Sequence, residues 1–346
     1  MTSTDRAELC RQVNAIRAVF TPYDRVKAVH ADIATLHARD NGASEGGILT
    51  LFGDSRSGKT KILRSYARQH PKVLGSRTGP DREFADHMEV VLLRVPDTNV
   101  KNLLERLLAT LSNVNTAQVK GAGTRRFDIQ EDIVAVAKGV GLKLILLEEA
   151  HQAIDTKNVN VIRGVAGVLK DLTNESRFSL VVSGTSEARR LFEASPELEG
   201  RVLYEHELTP LSWDNHAERR MFLEVLEDMD AHLSDGVFGR LSGLTDEKFA
   251  RPLLKAGLGH VGHVALLVEV AALAAVDDML EGRCRSLTLE HFAGALAGSP
   301  LRRKLDGEAS PFPVASLGPN AVLPLDAMTR LRGRTRTTHQ DVEFKR

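Results

Sequence analysis

The segment ILTLFGDSRSGKTKILRSYARQ, residues 48–69, constrains the fold more than any other part of the chain. Its apolar start reads as a buried strand and its end as an amphipathic helix, and between them GDSRSGKT matches G-x-x-x-x-G-K-[ST] in full. A chain that turns on Gly53 and Gly58 into a helix beginning at Lys59 aims several backbone N–H groups and a positive helix N-terminus at one spot. Such a concavity suits a polyphosphate. Gly53, Asp54, Ser55, Arg56, Ser57, Gly58, Lys59, Thr60 and Lys61 are therefore candidate nucleotide-binding residues. Lys59 has the reach for the β and γ phosphates of ATP, and the Thr60 hydroxyl suits the accompanying Mg²⁺.

A strand of this kind needs neighbours that are equally apolar. EVVLLRVP at 89–96, LKLILLEE at 142–149 and FSLVVSGT at 178–185 supply them, and near-continuous Val/Ile/Leu runs separated by helices are what a buried parallel sheet requires. Helical patterns fall at 59–69, 99–112, 128–139 and 158–175, which gives a three-layer α/β core. Before it, residues 5–39 read as helices broken at Thr21-Pro22. After Leu208 the strand-like runs stop, and 214–231, 234–241, 249–256, 262–281 and 288–297 read as helices. The expected organisation is a helical segment at 1–45, a nucleotide-binding core at 46–208, a helical lid at 209–298 and an irregular tail at 299–346.

The strand LILLEEAH delivers two adjacent acids to the open end of the loop. Glu148 is the candidate Mg²⁺ contact with Thr60, and Glu149 is the candidate base that polarises the attacking water. A pair of solvent-facing acids at a helix start is the alternative. His151 can act through Glu149 or stand as a surface group. Ser183 and Thr185, at the end of the next apolar run, are placed to align that water, although both types also form turns. Arg201, in SPELEGRVLYEHEL, either reaches a neighbouring subunit's γ phosphate or pairs locally with Glu197 or Glu205.

Composition narrows the partners. The chain has 346 residues with 46 basic and 46 acidic side chains, so any nucleic-acid surface has to be a local patch. Residues 120–126 hold three basic side chains, no acid and two glycines. Cys10 and Cys284 are the only cysteines, too few for a disulfide framework, which fits a reducing cytoplasmic setting. No 18-residue uncharged run exists, so no membrane span is expected.

In combination these residues resemble the AAA+ ATPases of DNA transposition, the TniB and TnsC group, with MuB more distant. The resemblance runs from about Arg17 to Leu296 and rests on GDSRSGKT, LILLEEAH, VLKDLTNE at 168–175, VVSGTSEA, PELEGR at 196–201 and GHVGHVALLVEVAALAA at 259–275. It implies an AAA+ P-loop fold with a C-terminal helical lid, and an ATPase with slow, regulatory turnover. Such a protein oligomerises on double-stranded DNA as a ring or helical filament, selects target DNA, and engages a transposase and a target-selection protein of the TniQ type.

The resemblance further implies DNA contacts from DTNVK and VKGAGTRR, hence Lys101, Lys120, Thr124, Arg125 and Arg126, mostly to phosphates. Two positions depart from the family pattern. Glu148 stands where an Asp is usual, and His263 occupies the place of the lid's nucleotide-sensing arginine. The tail, with nine basic residues against five acids, lies outside the resemblance. An AAA+ remodeller of the helicase-loader type and a signalling NTPase are the other functions open to such a core.

Overall fold

The computed structural model describes residues 3–39, 45–73, 87–95, 100–112, 126–154, 159–174, 178–305 and 308–312. Lys120, Thr124, Arg125 and the tail beyond Phe312 lie outside them. The chain divides into two units, Phe20–Pro210 and a second formed by Met1–Val19 with Leu211–Arg346.

The first unit holds a five-stranded sheet of β1 (Ile48–Gly53), β2 (Val90–Arg94), β3 (Leu144–Glu148), β4 (Ser179–Gly184) and β5 (Val202–Leu208). Its order is β2-β3-β4-β1-β5, and every pair is parallel. Parallel neighbours need crossover connections, and the helices expected between the apolar runs provide them. Numbered along the chain after α1 (Ser3–Ala15) of the other unit and α2 (Asp24–His37), which precedes β1, they are α3 (Lys59–Gln69), α4 (Val100–Ser112), α5 (Arg126–Val140) and α6 (Val159–Asn174). Every residue of β1, β3 and β4 is buried, as strands covered on both faces must be. β4 follows β3 in sequence yet lies between β3 and β1. The carboxyl ends of three strands, two carrying motifs and one carrying Ser183, thus lie side by side.

β5, at the edge of the sheet, was not among the expected strands, and the reason is its alternating pattern. VLYEHEL alternates half-buried Val202, Tyr204 and His206 with exposed Leu203, Glu205 and Glu207, so it has no continuous apolar run. Arg189 pairs with both Glu205 and Glu207, while its guanidinium lies 4.9 Å from the Phe52 ring centre. Charge on an outer strand also discourages pairing with a foreign sheet. On the inner side His206 Nε2 meets Asp32 Oδ2 of α2 at 2.8 Å. α2 itself is held by buried Val26, Val29, Ile33 and Leu36, an i, i+3, i+7, i+10 stripe.

The second unit is helical: α1, α7 (His216–Leu233), α8 (Glu247–Ala256), α9 (Val261–Leu280) and α10 (Leu289–Ala297). Asn215 caps α7 by accepting from the Ala217 and Glu218 amides, and Thr288 forms a capping box with His291 at α10. Buried Asp230 accepts three backbone N–H groups, from Ser242, Gly243 and Leu244. The helix expected at 234–241 is a single wide turn, Ser234–Phe238, which ends on Gly239 at φ 66°. The N-terminal residues complete this unit. Val13 and Ile16 are fully buried, Arg17 pairs with buried Glu269, and Arg6 pairs with Asp277. No single described helix is long and apolar enough to cross a membrane.

Candidate functional site

The phosphate loop takes the backbone its glycines predict. Gly53 and Gly58 have φ of 155° and 106°, and non-glycine Arg56 is also left-handed at 70°. Around Gly58 a Cβ would meet no atom within 4 Å, so there the glycine answers to φ rather than to crowding. At Gly53 a Cβ would lie 2.8 Å from the Leu208 carbonyl, so crowding also forbids a side chain. Gly58 is the residue before α3, and the Ile62 amide bonds to its carbonyl at 3.1 Å. Lys59 spans the loop, with Nζ donating to the Gly53 and Asp54 carbonyls at 2.7 Å each and to Ser57 Oγ at 3.3 Å. Burial lowers the Lys59 ammonium from its ordinary range, against the pull of Glu149 and Asp54. Thr60 is half-buried in the first turn of α3, and Asp54, Ser55 and Arg56 are exposed. Lys61 is half-buried, and its ammonium is also lowered by burial.

Two strands away, Glu148 ends β3 at 4% exposure. Its Oε2 lies 3.4 Å from Arg64 Nη2, and Oε1 is buried with no hydrogen-bond partner among the described residues. Burial raises the Glu148 carboxyl above the usual carboxylate range, opposed by Arg64 and reinforced by Glu149. Arg64 is the one member of this group that the sequence reading passed over. It follows Thr60 by four residues on α3, which puts both on one helix face, and that spacing was available as a signal. The Thr60 hydroxyl and the Glu148 carboxylate are hard oxygen donors. With a buried carboxylate oxygen lacking a partner, that set fits Mg²⁺.

Glu149 adopts φ 59°, a left-handed backbone that costs a glutamate about 1 kcal/mol or more. The turn throws its side chain away from the direction a continued strand would give it. His151 then joins two strand ends. Its Nδ1 accepts from the Thr185 amide at 3.4 Å, so the ring proton belongs on Nε2, which faces Glu149 Oε2 at 3.5 Å. Thr185 Oγ1 is buried without a partner among the described residues. Ser183 is buried on β4, where it pairs in register with Leu51 of β1. Leu147, one residue before Glu148, pairs with Val182. Ser183 and Glu148 therefore occupy corresponding levels of adjacent strands.

The remaining candidates are dispersed. Arg201 is held by its own chain: Nη1 donates to the Glu197 carbonyl at 2.9 Å, and Nη2 meets Asn174 Oδ1 and, at 3.1 Å, Glu45 Oε2. Glu205 belongs to Arg189. His263 lies in the helical unit, its Nδ1 3.1 Å from the Gly257 carbonyl and its ring edge-on to His260. Lys101 is on α4 beside Glu105 at 3.7 Å, and Arg126 is the first residue of α5.

A family model described as "Bacterial TniB protein" matches residues 12–210. No curated protein matches the chain. Among solved structures it is similar to ORC2 of Aeropyrum pernix in ADPNP–ADP complexes, with TM-score 0.54 and 15% identity over 85% of this chain and 74% of that one. It is also similar to ORC1 of Aeropyrum pernix in complex with DNA, with TM-score 0.53 and 16% identity over 81% and 65%. A Walker-type ATPase of Pyrococcus abyssi gives TM-score 0.50 and 14% identity over 92% and 77%. At such identities the likeness is one of fold, that of AAA+ P-loop proteins.

Proposed function

Because the chain belongs to the TniB family and has the AAA+ P-loop fold, we propose that it is an ATP-dependent regulator of DNA transposition. In this reading it assembles on double-stranded DNA, marks a target site there, and recruits or activates a transposase, with a TniQ-type protein as a further partner in the cytoplasm. The observation that carries the reading is the row of strand ends at β1, β4 and β3, which supplies a phosphate loop, a polar strand end and two acids in the order phosphoryl chemistry needs.

The loop amides and Lys59 hold the phosphates of ATP, and Lys59 exchanges its bonds to the Gly53 and Asp54 carbonyls for phosphate oxygens. Thr60 and Glu148 would hold Mg²⁺, which when bound neutralises charge on the phosphate oxygens. Glu149 polarises the water, steadied by His151, and Ser183 with Thr185 aligns it. His263, in the helical unit, is the nucleotide contact that the family resemblance alone suggests. With its Nδ1 proton directed to Gly257, it is a weaker phosphate donor than an arginine. Arg201 can serve a neighbouring subunit only by leaving Glu45 and Asn174, which would make hydrolysis depend on assembly. Lys101, Lys120, Thr124, Arg125 and Arg126 are the proposed DNA contacts. Slow turnover follows, since the useful product is a protein–DNA state rather than ADP.

Electron microscopy of the purified protein with linear duplex DNA, in ATP, a non-hydrolysable analogue or ADP, tests the reading. Rings or filaments that require both DNA and nucleoside triphosphate are expected. Monomers under every condition would overturn it.

A further inference from the structure

At the amino end of the sheet, away from the phosphate loop, His37, His70 and Glu89 each bring a ligand atom to within 4.8 Å of the others. They come from three elements: the last turn of α2, the residue that ends α3, and the residue before β2. His37 is 8% exposed. Its Nδ1 lies 3.1 Å from Tyr66 Oη. Its Nε2 is buried, has no hydrogen-bond partner among the described residues, and faces Glu89 Oε2 at 3.8 Å. The His70 ring stands edge-on to His37, with ring centres 4.7 Å apart. The other Glu89 oxygen receives Lys143 Nζ at 2.6 Å and lies 3.5 Å from His87 Nε2.

A buried ring nitrogen without a partner is uncommon and costly. Here the unsatisfied atom points into a cluster whose other members are a second imidazole and a carboxylate. A proton on His37 Nε2 would leave 3.8 Å to the carboxylate, too long for a hydrogen bond, and would face His70. A divalent cation instead takes lone pairs from all three at once. With Nδ1–H donating to Tyr66 Oη, the His37 ring is turned so that Nε2 is the ligand, the arrangement that outer partners impose on metal-bound histidines.

We propose that His37 Nε2, His70 and Glu89 form a site for a zinc-class divalent metal ion. Two imidazoles and one carboxylate suit Zn²⁺, whereas Mg²⁺ and Ca²⁺ take oxygen donors. Water or the half-exposed His87 completes the coordination. The site fastens the far end of α3 to α2 and β2. α3 carries the phosphate loop at its other end, about 16 Å away for a helix of 11 residues at roughly 1.5 Å each. The metal therefore acts as a structural clip that fixes the angle at which α3 presents Lys59 and Thr60.

The test uses the untagged full chain, stripped with a chelator and titrated with ZnCl₂ or CoCl₂ in the absence of nucleotide. One equivalent of Zn²⁺ per chain is expected, with a rise in thermal midpoint that chelator reverses. Co²⁺ should show the visible absorption of a four-coordinate nitrogen and oxygen site. His70→Ala and Glu89→Gln should each weaken Zn²⁺ binding about a hundredfold or more, and Tyr66→Phe roughly tenfold. Lys59→Ala should leave it unchanged, which separates this site from the phosphate loop. Substoichiometric binding to the wild-type chain would overturn the proposal whatever the variants do. So would stoichiometric binding that survives both His70→Ala and Glu89→Gln.

Discussion

The two ends of the β-sheet present opposite chemistry. At the carboxyl end, buried charge goes partly uncompensated: Glu148 has one oxygen without a partner among the described residues, Glu149 sits on a left-handed backbone, and burial opposes the Lys59 charge. At the amino end, imidazoles crowd one carboxylate whose charge Lys143 already meets. The first arrangement suits a ligand that brings both phosphate and cation. The second, with a buried imidazole nitrogen that lacks a partner among the described residues, suits a metal cation alone. In the roles proposed here the sheet separates turnover from anchorage, at opposite ends of the same helix, α3.

The sharpest way to break this contrast is at Glu149. Glu149→Gln keeps the shape of the site but removes the carboxylate proposed as the base, so hydrolysis should fall about 10²–10⁴-fold while nucleotide-dependent assembly persists. Single-turnover hydrolysis on DNA reads this, and a wild-type rate would move the base elsewhere. Lys59→Ala should act earlier in the cycle. Losing charged hydrogen bonds to phosphate weakens ATP binding by about 10–100-fold, seen by calorimetry, and assembly should go with it. An unaltered affinity would mean that the loop amides suffice.

Glu148→Gln gives the smallest effect and tests the carboxyl end for stored cost. Because folding raises the Glu148 carboxyl, the folded chain holds that proton more tightly than the unfolded one. The stability this group contributes is present at acidic pH and is lost as pH rises through the raised value. At neutral pH without ligand, the amide should therefore raise the melting temperature, read by calorimetry. That gain should shrink as the pH falls through the raised value and be gone below the ordinary carboxylate range. A gain independent of pH would assign the effect to packing instead.

The carboxyl end was legible because its chemistry is contiguous. GDSRSGKT and LILLEEAH each carry their residues within one turn or one strand end, so spacing alone announces them. Arg64 was one helical turn from being seen. The amino-end cluster was not legible, since His37, His70 and Glu89 are separated by whole elements and meet only once α2, α3 and β2 are packed. β5 escaped for a different reason. Its alternation of Tyr204 and His206 with Glu205 and Glu207 lacks the continuous apolar run by which the other four strands were recognised. The split of the N-terminal residues between two units also left no mark in composition. The break at Thr21-Pro22 marks where a helix stops, and only the packing of Val13 and Ile16 tells which unit α1 joins.

That last arrangement governs the order in which the chain can fold as it is made. Arg17 finds Glu269 some 252 residues downstream, and Gln12 meets His232 across 220. While a ribosome is still synthesising the helical unit, the sheet unit already has every residue it needs. α1 must wait, its apolar side open, until α7 and α9 emerge. A helix made before the whole sheet unit is thus among the last parts of the chain to be buried.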